Sequence, residues 1–199
     1  SQGSYWMLKH LCKTSKLNFN QTPIALMKAI KNNVEIKATK NAHLKDGVAV
    51  TTFIHWVKNN IGKVPMSELS ASDFLKNCRK KQAGYKEPSF TTISGYNSNG
   101  AIIHYTPTVS SNATLESKGF LLVDSGGQYS DGTTDITRTI ALGPLTPKMK
   151  EYYTAVLKAH IALASAEFSE GTTGADLDAV TRKPLTDLGL NYNHGTGHG

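Results

Sequence analysis

Asp124 and Asp135 stand at the two ends of a segment that also carries Gly126, Gly127, Asp131 and Gly132. The apolar run 120–123 leads into Asp124 and the β-branched run 135–140 leads away, so both flanks read as strands. The intervening glycines and Asp131 permit positive φ and reverse the chain. Folding about that reversal brings Asp124 close to Asp131 or Asp135. Two unpaired carboxylates a few ångströms apart repel, and such a pair is held by a shared proton or by cations between them. The plainer reading makes these aspartates ordinary turn and strand-end residues.

A second constellation lies near residue 199. His194 and His198 are spaced to share one face of a helix, and one face of a strand as well. Gly195, Gly197 and Gly199 favour the extended option, because a glycine beside a histidine lets backbone or substrate come close. Two solvated histidines are the alternative. Of the other five of the seven histidines, His104 is taken up below; His10, His43, His55 and His160 fall in helical or unmatched segments and are assigned no chemistry.

Three segments carry a resemblance beyond spacing. They are Asn-Gly-Ala-Ile-Ile-His-Tyr-Thr-Pro at 99–107, the aspartate segment at 123–139, and His-Gly-Thr-Gly-His-Gly at 194–199. In this order and at these separations the chain resembles the Xaa-Pro aminopeptidases, most closely their eukaryotic cytosolic form, from about Tyr5 to its last residue. The resemblance implies an α+β pita-bread fold and two divalent metal ions, manganese foremost. It implies a metallo-aminopeptidase that releases the N-terminal residue from peptides with proline in second position. By position, Asp124, Asp135 and His198 match metal ligands, with Asp124 on one ion and Asp135 bridging both. His104 and His194 match catalytic, substrate-binding histidines that move protons or stabilise the developing oxyanion. A cytoplasmic location and a homodimer in the full-length protein are implied too.

The same resemblance implies two glutamate ligands following the histidine segment, and residues 1–199 do not include them. The expectation is therefore a catalytic-domain fragment, truncated before the last third of the fold. Residues 1–21 would be the remnant of a preceding domain or linker and 22–199 the incomplete catalytic domain. The rest would be a separate chain or simply absent. Two divalent ions bring four positive charges, of which Asp124, Asp135 and a bridging hydroxide offset three. Manganese also prefers a near-complete shell of oxygen donors. The isolated fragment is thus expected to bind metal weakly and to hydrolyse nothing efficiently.

In a complete site, a hydroxide held between two cations forms near neutral pH and the cations polarise the scissile carbonyl. Proline makes the attacked bond a tertiary amide with no N–H, so its ring needs a shaped pocket. His104 is expected at the end of a strand over 101–105, pointing at the substrate, with His194 near the carbonyl oxygen. Prolidase and methionine aminopeptidase share the Asp, Asp, His order and are the enzymatic alternatives. A non-catalytic pita-bread module that binds protein or nucleic acid is the other, although all three available ligand positions are filled.

The elements that must position these residues read as follows. At 199 residues the chain can bury a sizeable core in one or two domains. Thr22 and Pro23 start a helix with Ile24, Met27 and Ile30 on one buried face. A longer helix over 34–61 sets Val48, Thr52, His55 or Trp56 and Asn59 along one side and stops at Gly62. Ser67 caps a third helix that turns Leu69, Phe74, Leu75 and Cys78 inward. A strand-rich centre spans 90–140. Thr146 and Pro147 open a helix to about Phe168, and a last helix over 175–188, bent near Pro184, ends at Gly189. This order suits a curved antiparallel sheet covered on its outer face.

The net charge of +7 comes from 22 basic against 15 acidic residues. Arg79-Lys80-Lys81 is the one tight cluster, and without interleaved aromatics the excess reads as a solvated surface rather than a nucleic-acid footprint. No run of about eighteen apolar residues suggests a membrane span. Cys12 and Cys78, far apart, read as free thiols in a reducing compartment.

Overall fold

The computed structural model describes residues 5–11 and 22–198. Helices α1 (Tyr5–Leu11), α2 (Pro23–Ala29), α3 (Asn33–Asn60) and α4 (Glu68–Lys80) precede a strand-rich centre. That centre holds β1 (Tyr85–Pro88), β2 (Ile93–Tyr96), a 3-10 turn (Asn97–Ala101), β3 (Phe120–Ser125), β4 (Gly127–Tyr129), β5 (Gly132–Thr133) and β6 (Ile136–Ala141). Helices α5 (Pro147–Ala164) and α6 (Gly174–Thr186) follow, giving the α+β order read from the sequence.

Local chemistry sets most helix ends. Asn32 and Glu35 form a reciprocal capping box at the start of α3, Ser67 and Ser70 one at α4, and Thr173 and Asp176 one at α6. Thr146 accepts from the Met149 N–H, with Pro147 in the first turn of α5. Gly62 and Gly189 take φ of 75° and 69° just past α3 and α6, as helix-ending glycines do. Helix α5 stops at Ala164, short of the exposed Phe168.

Two helix faces differ from the sequence reading. In α2 Ile24 and Met27 are 61% and 73% exposed, and Ile30 just past its end is 70% exposed, so this seven-residue helix buries no face among the described residues. In α3 the buried positions are Ala42, Asp46, Ala49, Val50, Phe53 and Val57, whereas Val48 points to solvent. An apolar-only pattern skips Asp46, and that skip rotates the inferred stripe by one position. Trp56 still packs at the rim, stacked on Phe74 with ring centroids 3.8 Å apart.

The two sheets are three-stranded and antiparallel, in the orders β2-β3-β6 and β1-β4-β5. One face of β2-β3-β6 packs Leu121, Val123 and Ile140 onto Phe53, Val57 and Leu75 of α3 and α4. Apolar burial of this kind, at about 25 cal/mol per Å², is the main stabilising term. Helices α5 and α6 form a separate small cluster of Ala155, Ala159 and Leu185, with Leu190 and Tyr192 against it. Among the described residues no helix is long and apolar enough to cross a membrane.

A buried ion pair fixes α3 to α4. Arg79, 2% exposed, donates from Nε to Asp46 Oδ1 at 2.6 Å and from a terminal nitrogen to Oδ2 at 3.0 Å. Tyr129 of β4 donates to the same Asp46 oxygen at 2.8 Å, and burial followed by that bond pushes its phenol above the ordinary range. Arg79 is thereby withdrawn from the basic cluster seen in the sequence. Neighbouring Cys78 is a buried free thiol whose pKa burial raises; Cys12 lies outside the described residues.

Asp46→Ala leaves Arg79 as an uncompensated buried charge and is expected to destabilise the fold by about 3–5 kcal/mol. Urea denaturation of the variant measures this, and a loss under about 1 kcal/mol would show the pair to be dispensable.

Candidate metal centre

The chain between Asp124 and Asp135 is an excursion rather than a simple reversal. It leaves β3 at Gly126, runs out along β4, turns at Ser130 and Asp131, returns on β5 and re-enters the first sheet as β6. Thr134, fully buried, anchors the return: its Oγ accepts from the Gly127 N–H at 2.9 Å and its carbonyl accepts from Ser89 Oγ at 2.8 Å. Strands β3 and β6 then pair with Asp124 opposite Thr137 and Ser125 opposite Ile136. Asp135 lies two residues before Thr137, so it shares a sheet face with Asp124 as its diagonal neighbour.

The alternative aspartate is diverted. Asp131, at the tip of the excursion, accepts two hydrogen bonds from Lys45 at 2.9 and 2.8 Å and one from Asn41, and the Lys45 bonds lower its pKa. The glycines also work differently from the sequence reading, since neither Gly126, Gly127 nor Gly132 has positive φ. Gly126 is needed for close approach: a Cβ there would sit 1.9 Å from the Thr134 carbonyl oxygen and 2.2 Å from Ser89 Oγ.

Asp124 Oδ1 is buried without a hydrogen-bond partner. Burial raises the pKa of this carboxyl, and the adjacent Asp135 raises it further, while Thr137 and the charge of His104 pull it back. His104 is therefore near the pair, but not at the end of a strand. It follows the 3-10 turn in a left-handed backbone conformation, φ 55°, with an exposed side chain. That turn lies against β2 because Gly95 and Gly100 touch; a Cβ on Gly95 would meet Gly100 Cα at 2.8 Å.

His198 reaches the site from a loop, where the sequence reading favoured a strand. Its Nε2 is 3.2 Å from Asp135 Oδ2. The loop is held by Arg182 of α6, which is paired through Nε with Asp178 at 2.7 Å. Arg182 donates onward to Asn191 Oδ1, the Tyr192 carbonyl and the His194 carbonyl, at 2.7, 2.7 and 3.0 Å. Thr196 closes the circuit by donating to Asp178. His194 leans on Tyr192 at 4.8 Å and its Nδ1 contacts the Gly195 carbonyl oxygen at 2.8 Å; no hydrogen bond or ion pair joins it to Asp124, Asp135 or His198.

The donor set suits a divalent cation in kind: two carboxylates on one face, one with an orphaned oxygen, and an imidazole beside the other. It does not close by itself. Among the described residues no three His, Cys, Asp or Glu side chains form a group able to hold a metal ion.

The family model for metallopeptidase family M24 matches residues 37–199. The chain belongs to metallopeptidase family M24. This M24 chain is 46% identical to aminopeptidase P2 of Arabidopsis thaliana over 91% of its own length, and 45% identical to Xaa-Pro aminopeptidase 1 of Dictyostelium discoideum over 89%. It spans only 26% and 29% of those two relatives. The X-prolyl aminopeptidase of Caenorhabditis elegans, described as a cytosolic enzyme with a di-nuclear active site, superposes with a TM-score of 0.86 at 37% identity. That match covers 89% of the M24 chain and 29% of the nematode chain. An Xaa-Pro dipeptidase from Bacillus anthracis matches the whole M24 chain and 54% of its own length, with a TM-score of 0.78 and 28% identity. The architecture is thus part of the pita-bread fold of this family.

Sequence reasoning missed the residues that hold the histidine loops. Arg182 and Asp178 carry the helical i,i+4 spacing of an ion pair and were findable that way. Glu68, which binds both flanks of the His104 loop, looks in sequence like any acidic residue in a first helical turn.

Because Asp124 titrates above its ordinary range when folded, its charged form is disfavoured in the native state. That penalty is absent below the unfolded carboxylate pKa of about 3.9 and grows as pH rises through the folded value. Without divalent cations, Asp124→Asn is expected to stabilise the chain at pH 7 by on the order of 1 kcal/mol, raising the melting midpoint by about 2–4 °C. The gain shrinks as pH falls to 4. A wild-type chain that melts higher at pH 7 would contradict this.

Proposed function

We propose that this chain is the greater part of an Xaa-Pro aminopeptidase catalytic domain, comprising residues 22–199 and preceded by the end of another domain or linker at 1–21. The observation that carries the reading is the same-face pair Asp124 and Asp135, with an orphaned Asp124 oxygen and His198 3.2 Å from Asp135. Such a cluster of like charges suits cations better than it suits a bare fold. When bound, two divalent ions, manganese foremost, lower the pKa of water and polarise a carbonyl.

Asp124, Asp135 and His198 would hold those ions, with Asp135 as the ligand shared between them. His104, exposed on its turn beside Asp124, moves a proton during cleavage, and His194 faces the substrate carbonyl. Three ligands leave the charge of two dications unbalanced, so the remaining donors come from outside these 199 residues, as two glutamates or their equivalent. On its own, this stretch of chain is inactive. The substrates are peptides with proline in second position, and the complete protein is a cytoplasmic homodimer that needs neither nucleic acid nor membrane. The relatives named above, among them a cytosolic X-prolyl aminopeptidase with a di-nuclear active site, support the aminopeptidase reading, a pair of metal ions and the cytoplasmic location.

The complete protein, loaded with Mn²⁺, is expected to cleave an Xaa-Pro-Xaa tripeptide and to leave an Xaa-Pro dipeptide intact. Asp135→Asn should abolish cleavage, and His104→Ala should lower kcat by roughly 10²–10⁴-fold, the range for a lost general acid or base. Hydrolysis of the dipeptide in preference to the tripeptide would instead favour a prolidase, the activity of the Bacillus anthracis relative. Full activity after chelation would overturn the metal assignment.

A further inference from the structure

The Glu68 carboxylate is fully buried at the first position of α4, and each of its oxygens accepts two hydrogen bonds. Oε1 receives the Tyr96 backbone N–H at 2.7 Å and Asn99 Nδ2 at 2.9 Å. Oε2 receives the Tyr105 hydroxyl at 2.8 Å and the Ala113 backbone N–H at 2.9 Å. The first pair lies before His104 in the chain and the second lies after it. Asn99 Nδ2 also donates to the Tyr105 hydroxyl at 3.0 Å, closing the ring across the loop. The backbone adds two ties to the same place, Glu68 N–H to the Ala113 carbonyl at 3.1 Å and Leu69 N–H to Asn112 Oδ1 at 3.0 Å.

His104 sits between these anchors with φ at 55°, a conformation that costs a β-carbon-bearing residue free energy. A non-glycine residue stays there only where its surroundings over-determine it. Tyr105, the very next residue, is buried and tied to Glu68, so the strain has nowhere to relax.

We propose that Glu68 is a positioning residue for the peptidase reaction, a single buried carboxylate that clamps both ends of the His104 turn and thereby aims the imidazole at the Asp124 and Asp135 face. This rests on the reading of His104 as a group that touches substrate. Helix α4 supplies the rigid base, and its N-terminal dipole favours the negative charge. The loop can then move only if four charge-assisted hydrogen bonds yield together.

Glu68→Gln is the sharpest perturbation. Each oxygen accepts from one backbone N–H, Tyr96 or Ala113, so either amide orientation sets an NH₂ against a donor that cannot turn away. In the complete, metal-loaded protein acting on an Xaa-Pro-Xaa tripeptide, Glu68→Gln should lower kcat about 10–100-fold and leave KM within about twofold, the split expected when a catalytic group is displaced and not removed. Combined with His104→Ala, it should add nothing: the double variant is expected within about twofold of His104→Ala alone, because a positioning residue acts through its target. Amide exchange gives a readout independent of activity, with protection of the Tyr96 and Ala113 N–H groups falling in Glu68→Gln and unchanged in His104→Ala. Tyr105→Phe, which removes one of the four bonds, should show the same pattern more weakly and serves if Glu68→Gln does not fold.

A double variant whose losses multiply would make Glu68 a general structural residue and overturn the proposal. So would wild-type kcat in Glu68→Gln beside a slow His104→Ala. A His104→Ala enzyme with wild-type kcat would overturn the role of His104 itself, and this proposal with it.

Discussion

Like charges on one face of a small sheet set the terms for this structure. The register of β3 and β6 brings Asp135, the residue just before β6, next to Asp124, and partial burial strips Asp124 of some of the water that would otherwise screen it. An orphaned buried carboxylate oxygen costs about 1–3 kcal/mol, and Thr137 and the charge of His104 offset the burial of this carboxyl only in part. A fold selected for stability alone would place a neutral residue there. The arrangement makes sense as a standing demand for positive charge, which the proposed cations meet.

Polar anchors hold the surrounding groups in place, most of them built on charged side chains that accept or donate several bonds. Asp46 and Arg79 join α3 to α4 beneath the sheet. Thr134 and the bare Cα of Gly126 fix the return of the chain into β6, and so fix Asp135. Glu68 gathers the loop on one side of the site, and Arg182 with Asp178 gathers the loop on the other. The histidines themselves are exposed and lightly held. Their precision is borrowed from residues one shell further in, which is why the apolar core can stay small without leaving the site loose.

Helix starts were legible because capping depends on a few adjacent residues: Ser67 and Thr146 were read directly, and the glycine stops at 62 and 189 followed from positive φ. What depends on distant partners was not. The buried face of α3 was misread because it contains Asp46, whose justification is Arg79 on another helix. A strand over 101–105 was expected, yet Glu68, far away in sequence, holds the flanks of that stretch in a turn. The glycines at 126, 127 and 132 were read as left-handed turn formers; none has positive φ, and the demand at Gly126 is space for a neighbouring backbone. Spacing alone left both Asp131 and Asp135 open as neighbours of Asp124, and the resemblance selected Asp135; in the structure Lys45 and Asn41 engage Asp131. The motifs that carry family membership were visible in full, since they are local strings of residues.

The central claim is that Asp124, Asp135 and His198 are neighbours because cations bind between them. Anomalous diffraction at the manganese edge, from crystals of the complete protein grown with Mn²⁺, tests it most directly. The account predicts two peaks, both within coordination distance of Asp135, with Asp124 and His198 each against at least one. Peaks elsewhere, or a map with none and Asp124 Oδ1 satisfied by a protein donor, would contradict it.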